Sequence, residues 1–308
     1  MLHHVLKVAS GAEATRHVVV IGYEGDQIRQ AFSGRPEVEF AEQRERLGTG
    51  HAMMMTRKNF EGYEGDILVL AGDTPLLTVP TLRRLVEWHR HQEAAVTILT
   101  AEMEDPTGYG RVLRFEDNRV QGIVEEKDAN RYERRIREIN TGTYCFDARR
   151  LFESLGKITQ DNVQNEYYLT DCVRILADQG LRVEALVTEN STEAIGVNTR
   201  VQLAEAEKIL RRRILERHML SGITILDPST CYVDDEVEIG KDTILYPGTM
   251  IAGESRIGQG CRIGPNTQIL SSRVGDGAVV NCSFVSGVVV SPGERIGPYE
   301  TLRNGEAP

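Results

Sequence analysis

Asp73 is the residue whose place in the sequence most directly suggests chemistry. It follows the apolar run 67–71 and Gly72, within the stretch 66–75. An apolar run without alternation predicts a strand that is buried on both faces. In open parallel sheets, ligands bind beyond the carboxyl ends of such strands, and Gly72 would let a ligand approach the backbone. The alternative is that Asp73 only caps a helix that begins near Val79.

Strand-like and helix-like segments alternate on both sides of Asp73. The strands are expected at residues 17–21, 38–41, 67–71, 95–99, 111–115, 120–124, 143–146 and 182–187, and the helices at residues 2–9, 27–32, 50–60, 81–92 and 166–178. Strands that alternate with helices are typical of βαβ units. We therefore expect an α/β domain with a mixed, mostly parallel sheet.

A long helix is predicted to lead out of this domain. Apolar residues recur with helical spacing between residues 199 and 220, and Thr199 and Gln202 have the spacing of a capping box. A basic group on this helix could bind phosphate, but on an exposed helix such a group is more often a solvated face. We expect the solvated face for its members, which are Arg211, Arg212, Arg213 and Arg217.

The sequence changes character after Gly222, where aliphatic residues recur with a period of six. The residues in register are Val233, Ile239, Leu245, Ile251, Ile257, Ile263 and Ile269. This period is typical of a parallel β-helix, in which each aliphatic residue stacks on its equivalent in the next coil. The register shifts at Val274, so we expect an irregular end. The expected divisions are a first domain at residues 1–198, a linking helix at 199–222 and the β-helix at 223–308.

Composition is that of an ordinary globular protein. The chain has 308 residues, of which 40% are hydrophobic, and a net charge of -10. No apolar stretch approaches the ~20 residues of a membrane span, and no block of Lys and Arg offers a site for a nucleic-acid backbone. The five cysteines are scattered singly, which argues against disulfides and a zinc site. We expect a cytoplasmic protein without a membrane or nucleic-acid partner.

A series of motifs runs in order along nearly the whole chain. They are Gln43-Arg-Glu-Arg-Leu-Gly-Thr-Gly-His-Ala52, Gly72-Asp-Thr-Pro-Leu76, Asp105-Pro-Thr-Gly-Tyr-Gly-Arg111, Ile123-Val-Glu-Glu-Lys-Asp128, Glu138-Ile-Asn-Thr-Gly142, Asn165-Glu-Tyr-Tyr-Leu-Thr-Asp171 and Gly196-Val-Asn198. With the hexapeptide coils, they resemble the bacterial bifunctional N-acetylglucosamine-1-phosphate uridylyltransferase and glucosamine-1-phosphate N-acetyltransferase. The resemblance implies a Rossmann-like nucleotidyltransferase domain followed by a left-handed parallel β-helix of hexapeptide repeats.

The resemblance assigns nucleotide and metal roles to residues of the first domain. Gln43 would read the uracil edge with the donor and the acceptor of its carboxamide, and Gly48 and Thr49 would line the base. Asp73 and Asn198 would hold a catalytic Mg²⁺ and leave most of its octahedral shell to water and phosphate oxygens. Asn198 could also cap the linking helix, where Asn is a favoured residue.

The amino sugar has its own set of residues in the resemblance. Gly110 would contact it through the backbone, Glu125 and Asn140 through side-chain hydrogen bonds, and Thr170 would line the pocket. Without the resemblance, Glu125 would be interpreted as part of a solvated charged turn. Tyr168 could line the same pocket or belong to the core.

The implied reaction forms UDP-N-acetylglucosamine and pyrophosphate from UTP and N-acetylglucosamine 1-phosphate, for peptidoglycan and lipopolysaccharide precursors. Such transfers rest on positioning and charge neutralisation rather than on a protein nucleophile. A non-catalytic sugar-nucleotide-binding or assembly subunit remains an alternative, as does a uridylyltransferase for another sugar 1-phosphate. A homotrimer through the β-helix is a further implication of the resemblance.

The sequence departs from the family pattern at several places. Asn165 stands where the family generally has Gly. The family's opening strand, its Gly-rich phosphate loop and its lysine have no counterpart here, so we expect impaired catalysis and unpaired strand edges. No histidine follows Gly222, so no acetyltransferase activity is expected, although Arg303 matches a sugar-phosphate-binding arginine of that second site.

Overall fold

The computed structural model describes residues 1–304. The chain divides into two compact units, Met1–Gln202 and Leu203–Pro308. Within residues 1–304, no helix combines the length and apolar character that a membrane span requires.

The helices of the first unit are close to the predicted ones, with one addition. They are α1 (Leu2–Gly11), α2 (Gly25–Ala31), α3 (Thr49–Met55), α4 (Val79–His91), α5 (Ala148–Leu155) and α6 (Thr170–Asp178), with short 3-10 turns at Glu133–Arg135 and Ser191–Ala194. Helix α5 lies where the sequence analysis predicts no helix. Its start is marked by Asp147, whose carboxylate accepts a hydrogen bond from the amide of Arg150 at 2.8 Å, as an N-cap residue does.

The strands of the first unit form two sheets. They are β1 (His17–Ile21), β2 (Val38–Glu42), β3 (Asp66–Val69), β4 (Val96–Glu102), β5 (Gly110–Arg114), β6 (Val120–Val124), β7 (Glu138–Asp147) and β8 (Val183–Val187). Strands β1 and β2 pair in parallel as a two-stranded sheet. The larger sheet is mixed: β4 and β8 are parallel, whereas β7 runs antiparallel to β3, β4 and β5. Hairpin β5–β6 is also antiparallel.

Strand β3 differs from its prediction. Its partner is β7, in antiparallel register, and only Ile67 of the strand is buried. The continuously buried strand is β4, in which residues 96–101 are all buried. The difference arises because β4 has β7 on one edge and β8 on the other, with helices on both faces, whereas β3 pairs along one edge only within the described residues. Within the described residues, β1 pairs only with β2, and β3 only with β7.

The core of the first unit lies on both faces of β4. On one face, Val96 and Ile98 pack with Leu151 of α5 and Leu176 of α6. On the other face, Leu99 belongs to the cluster that also holds Leu82 and Leu85 of α4 and Cys145 of β7. Alternate residues of one strand therefore anchor the layers that flank the sheet.

The second unit consists of helix α7 (Arg200–Leu220), most of which belongs to it, and a β-helix. Its short strands are β9 (Thr224–Ile225), β10 (Tyr232–Val233), β11 (Glu238–Ile239), β12 (Ile244–Leu245), β13 (Met250–Ala252), β14 (Arg256–Ile257), β15 (Arg262–Ile263), β16 (Gln268–Leu270), β17 (Arg273–Val274), β18 (Val279–Val280), β19 (Phe284–Ser286), β20 (Val289–Val290), β21 (Arg295–Ile296) and β22 (Thr301–Arg303). They form three parallel ladders, and the coil is a left-handed parallel β-helix.

Stacking in the β-helix follows the six-residue period. Leu245 pairs with Ile263, and Ile263 with Val280, with all three side chains fully buried. Within the described residues, the ladder continues through the shift in spacing: Val274 takes the place of a hexad residue and pairs with both Ile257 and Val290. Turns absorb the shorter spacing because the ladder requires only that inward side chains remain in register.

Candidate functional site

Asp73 lies in the loop between β3 and α4 and does not cap that helix. The N-cap of α4 is Thr78, whose side chain accepts a hydrogen bond from Thr81 N. Glu193 Oε2 in turn accepts a hydrogen bond from the amide of Thr78 at 3.1 Å. Within residues 1–304, the Asp73 carboxylate has no hydrogen-bond partner of its own, which leaves it available to a ligand.

The side chain of Asn198 likewise does not cap the helix that follows it. The capping box of α7 forms as its spacing predicts: Thr199 Oγ1 accepts from Gln202 N at 3.1 Å, and Gln202 Oε1 accepts from Thr199 N at 3.0 Å. Gln202 Oε1 also accepts from the backbone amide of Asn198 at 2.8 Å. The Asn198 side chain is therefore not the cap, and its carboxamide has no hydrogen-bond partner in the described part of the chain.

The structure brings Asp73 and Asn198 to the same place. A Cβ built on Gly196 would lie 4.0 Å from Asp73 Oδ2 and 3.8 Å from Asn198 Nδ2. The two segments are joined by a hydrogen bond from Val197 N to Asp73 O at 2.9 Å. Gly72 beside them is exposed, and among the described residues a Cβ there would meet only Leu2 Cδ1, at 3.9 Å.

The side chains of Asp73 and Asn198 suit an open site for a hard divalent cation rather than a site in which protein ligands surround the metal. No group of three or more His, Cys, Asp or Glu residues that could hold a metal occurs in residues 1–304. One carboxylate and one carboxamide oxygen supply the ligand chemistry that Mg²⁺ takes in proteins, with the remaining positions left to water and phosphate. The Asn198 oxygen can face the cation because the two ends of a carboxamide interchange by rotation.

Gln43, Gly48 and Thr49 form a second group, in which the contacts differ from those expected. Gln43 Nε2 donates to Gly48 O and to His51 Nδ1, at 3.0 Å each. Of the two groups expected to read the uracil edge, only Oε1 is thus free of protein partners among the described residues. Thr49 Oγ1 is occupied as well, because it accepts a hydrogen bond from Leu169 N at 3.0 Å.

Gly48 is required by the protein backbone. Its φ is +100°, and a Cβ there would lie 2.6 Å from Tyr167 O. The neighbouring segments are held together by hydrogen bonds from Tyr167 N to Leu47 O and from Gly50 N to Tyr167 O, both at 2.7 Å. The loop before α3 is therefore fixed against the segment that leads into α6.

Gln43 also lines an open cavity of about 640 Å³ at the carboxyl ends of β1 and β2. The other lining residues are Gly22, Tyr23, Glu42, Arg44 and Arg46. The Arg46 guanidinium lies 5.6 Å from the centre of the Tyr23 ring. Sequence reasoning missed Tyr23 and Arg46, since the loop at residues 22–26 carries acids and no base, and its cationic neighbour comes from another strand end.

Gly110, Glu125, Asn140 and Thr170 converge as a third group. Glu125 and Thr170 are hydrogen-bonded through Oε1 and Oγ1 at 3.0 Å. A Cβ on Gly110 would lie 3.4 Å from Glu125 Oε2 and 3.5 Å from Asn140 Cβ, so the glycine opens the space between these two side chains. The Asn140 carboxamide is fixed at both ends, by Gly142 N at 3.1 Å and by Tyr144 Oη at 2.8 Å.

Glu125 is the member of its charged turn that faces inward. Burial raises its pKa, against the effect of the Thr170 hydrogen bond, and the nearby Asp128, Asp171 and Glu166 raise it further. Glu126 instead forms an ion pair with Arg111 at 2.7 Å. The solvated-turn interpretation therefore fails at Glu125, and neither Glu126 nor Asp128 is a purely solvated charge, because each has a partner within the protein.

Tyr168 and Asn165 belong to the segment that borders this group. Tyr168 is buried, and its hydroxyl donates to Asp128 Oδ2 at 3.1 Å. Asn165 has φ of +52°, in the left-handed region that Asn tolerates better than most residues other than Gly. The turn at residue 165 is thus one that Asn, like Gly, can form.

The three groups are connected to one another. Thr49 Oγ1 accepts a hydrogen bond from Leu169 N, and the next residue, Thr170, donates one to Glu125. A Cβ on Gly142 would lie 3.8 Å from the Cβ of Ala71, which precedes Gly72 and Asp73. The three groups therefore belong to one packed set of loops in the first unit.

The remaining basic residues of interest lie in the second unit. Arg303 is exposed on β22, with its guanidinium 5.1 Å from the centre of the Phe284 ring. On α7, Arg212 pairs with Glu216 at 2.7 Å and Arg217 with Asp235 at 2.9 Å. Arg211 lies over Tyr232 at 4.2 Å. Arg212 and Arg217 fit the solvated-face interpretation of the basic group, whereas Arg211, whose side chain is only 14% exposed, does not.

Comparison with known protein families gives the class of this chain. The chain belongs to the nucleotidyl transferase family, whose pattern matches residues 1–196. The bacterial transferase hexapeptide pattern, of six repeats, matches residues 236–271.

Individual relatives agree with this assignment. The chain is 47% identical over 303 residues to the bifunctional protein GlmU of Caldanaerobacter subterraneus subsp. tengcongensis. The matched region covers 98% of this chain and 65% of the relative. It is 45% identical to the bifunctional protein GlmU of Enterococcus faecalis, with 98% and 66% covered. The chain spans about two thirds of the length of the curated relatives that it matches.

Proposed function

We propose that the first unit is a Mg²⁺-dependent uridylyltransferase that forms UDP-N-acetylglucosamine and pyrophosphate from UTP and N-acetylglucosamine 1-phosphate. The observation that carries the proposal is the convergence of Asp73 and Asn198, two unengaged oxygen-bearing side chains from distant segments, around Gly196. Similarity to proteins called GlmU along 98% of this chain supports it.

In the proposed reaction, a phosphate oxygen of the sugar 1-phosphate bonds to the α-phosphorus of UTP, and the bond to the bridging oxygen of pyrophosphate breaks. No protein nucleophile is required, because the residues hold the two substrates in line. Mg²⁺ bound by Asp73 and Asn198 would neutralise charge on the phosphates. At the cavity edge, Arg46 provides further positive charge, whereas Arg44 is paired with Glu42 at 3.4 Å.

Each substrate has its own contacts in this proposal. Gln43 Oε1 accepts the N3–H of uracil, since both N–H groups of the same carboxamide are engaged within the protein. Glu125 accepts from a sugar hydroxyl, and Asn140 donates to a sugar oxygen, on either side of Gly110. The product would serve cell-envelope precursor synthesis in the cytoplasm, and the β-helix would support a homotrimer.

Pyrophosphate release tests the proposal. The full chain is assayed with UTP, N-acetylglucosamine 1-phosphate and MgCl₂, beside Asp73→Asn and, as a matched control, Asp178→Asn on the exposed end of α6. We expect a loss of about 100-fold or more for Asp73→Asn, and no change for Asp178→Asn. Equal release by Asp73→Asn and the parent chain would overturn the metal assignment. Binding of UDP-N-acetylglucosamine without any release would favour a non-catalytic binding subunit.

A further inference from the structure

Asn140 occupies an irregular part of β7. The pairing of β4 with β7 shifts register between Leu99 and Thr100, opposite the segment 140–143. Gly142 has φ of +76°, which turns its amide back toward Asn140. That amide donates to Asn140 Oδ1 at 3.1 Å. A backbone N–H can only donate, so this contact identifies the oxygen end of the carboxamide.

The other end of the same carboxamide must then be the NH₂ group. Asn140 Nδ2 lies 2.8 Å from Tyr144 Oη. Since Nδ2 has no lone pair to offer, the phenol oxygen is the acceptor and its own proton points away from Asn140. One N–H of Nδ2 is used in this contact, and the second has no protein acceptor in the described part of the chain.

Tyr144 is itself held rigidly. It is only 3% exposed, and its ring lies 5.5 Å from that of Phe146. On β7 it is paired with Val69 of β3 on one side and with Ile98 of β4 on the other. Burial raises the pKa of its hydroxyl, and the nearby Glu125 raises it further, so the phenol remains neutral. A fixed acceptor on a central strand can orient a flexible amide.

We propose that Tyr144 is a positioning residue of the sugar pocket, which orients the Asn140 carboxamide so that its free N–H faces an acceptor oxygen of the bound sugar. This inference rests on the proposed function. The recognised ligand must offer an acceptor to Asn140 and a donor to Glu125, across the space that Gly110 leaves open. A hydroxylated sugar with an acylamino group meets both requirements.

The test measures binding by calorimetry on the full chain with two ligands, UDP-N-acetylglucosamine and UTP, each with MgCl₂. Tyr144→Phe keeps the ring and removes only the acceptor oxygen. We expect its affinity for UDP-N-acetylglucosamine to fall about tenfold, which corresponds to about 1.4 kcal/mol, while its affinity for UTP stays unchanged. Tyr63→Phe is the matched control, because Tyr63 is exposed and its hydroxyl bonds to Asp66 O instead.

A double-mutant cycle separates positioning from general packing. If Tyr144 acts through Asn140, then Tyr144→Phe has no further effect on sugar-nucleotide affinity in an Asn140→Ala background. Unchanged affinity of Tyr144→Phe for UDP-N-acetylglucosamine, or an equal loss for both ligands, overturns the inference while leaving the proposed function intact. Failure of the parent chain to bind UDP-N-acetylglucosamine overturns both.

Discussion

The backbone amide of Val197 donates a hydrogen bond to the carbonyl oxygen of Asp73 across 2.9 Å. This contact joins the loop after β3 to the segment that precedes α7. It places Asn198 beside Asp73, while Gln202 takes over the capping of the helix. A residue type that commonly caps helices is thereby kept free for a different role.

Asn198→Ala tests that role through the metal requirement. We expect the MgCl₂ concentration for half-maximal pyrophosphate release to rise about tenfold, because one oxygen ligand is replaced by water. The maximal rate should be largely recovered at saturating MgCl₂. Asn304→Ala in the second unit is the control and should leave the MgCl₂ dependence unchanged. An unchanged dependence in Asn198→Ala would show that its amide is not a ligand.

Gly48→Ala tests how far the loop before α3 depends on glycine. Gly48 and Gly62 both have positive φ, but a Cβ at Gly48 would lie 2.6 Å from Tyr167 O, whereas one at Gly62 would meet nothing within 4 Å. Backbone strain alone costs roughly 1 kcal/mol, so Gly62→Ala should lower the free energy of unfolding by about that amount. Gly48→Ala should lower it by a further ~2 kcal/mol. Equal urea midpoints for the two variants would contradict the clash.

The β-helix could be predicted from the sequence, whereas the surroundings of β3 could not. Stacking in the β-helix depends on a local period, so Leu245, Ile263 and Val280 pair as the spacing indicates. The burial of β3 depends instead on which strands and helices lie beside it. An apolar run cannot reveal that β7 will pair antiparallel with β3 or that β4 will receive both helical layers.

The site shows the same division between residue identity and residue contacts. The motifs grouped Asp73 with Asn198, and Glu125 with Asn140 and Gly110, and the members of each group lie close together in the structure. They did not show that the N–H groups of Gln43 donate to Gly48 and His51, because the orientation of the Gln43 carboxamide depends on three-dimensional contacts. The role of Tyr144 was missed for the same reason, because nothing in its sequence spacing distinguishes it from a core aromatic.

His51→Phe tests whether His51 orients Gln43. The substitution keeps an aromatic ring beside Tyr167, 6.3 Å away between centres, and removes the Nδ1 acceptor. We expect the affinity for UTP to fall about threefold to tenfold, the equivalent of about 1 kcal/mol for one lost hydrogen bond. A similar pair on the surface supplies the control: His91 Nδ1 faces Gln92 Nε2 at 3.2 Å, and His91→Phe should leave UTP affinity unchanged. Equal affinities of His51→Phe and His91→Phe for UTP would show that His51 has no part in recognising the base.

Neighbouring valines of β20 provide a test of stacking in the second unit. Val290 is 1% exposed and pairs with Val274, whereas Val289 is 76% exposed. Val290→Ala should lower stability by about 2 kcal/mol through lost burial and a residual cavity, and Val289→Ala by less than about 0.5 kcal/mol. Amide hydrogen exchange in β17 and β20 measures this locally, which is necessary because a chain of two units need not unfold in one step. Equal protection in both variants would contradict the inward stacking of Val290.

Glu125→Gln tests the cost of holding a carboxylate in the sugar pocket. Burial raises the pKa of Glu125 in the folded chain, so its contribution to stability is present below the unfolded pKa and is lost as pH rises through the folded pKa. The variant keeps an acceptor for Thr170 and removes the charge. We therefore expect its free energy of unfolding in urea to exceed that of the parent at pH 7, and the difference to shrink at pH 4. Its affinity for UDP-N-acetylglucosamine should fall.

Glu126→Gln should behave in the opposite way. Burial opposes ionisation of Glu126, but hydrogen bonds from Arg111 and from Gly108 N together leave its pKa lowered. Its contribution to stability is therefore present above the unfolded pKa and is lost as pH falls through the folded pKa. Glu126→Gln should be less stable than the parent at pH 7, with the difference again shrinking toward pH 4. If Glu125→Gln, like Glu126→Gln, were less stable than the parent at pH 7, Glu125 would not be a carboxylate that the fold buries at the expense of stability.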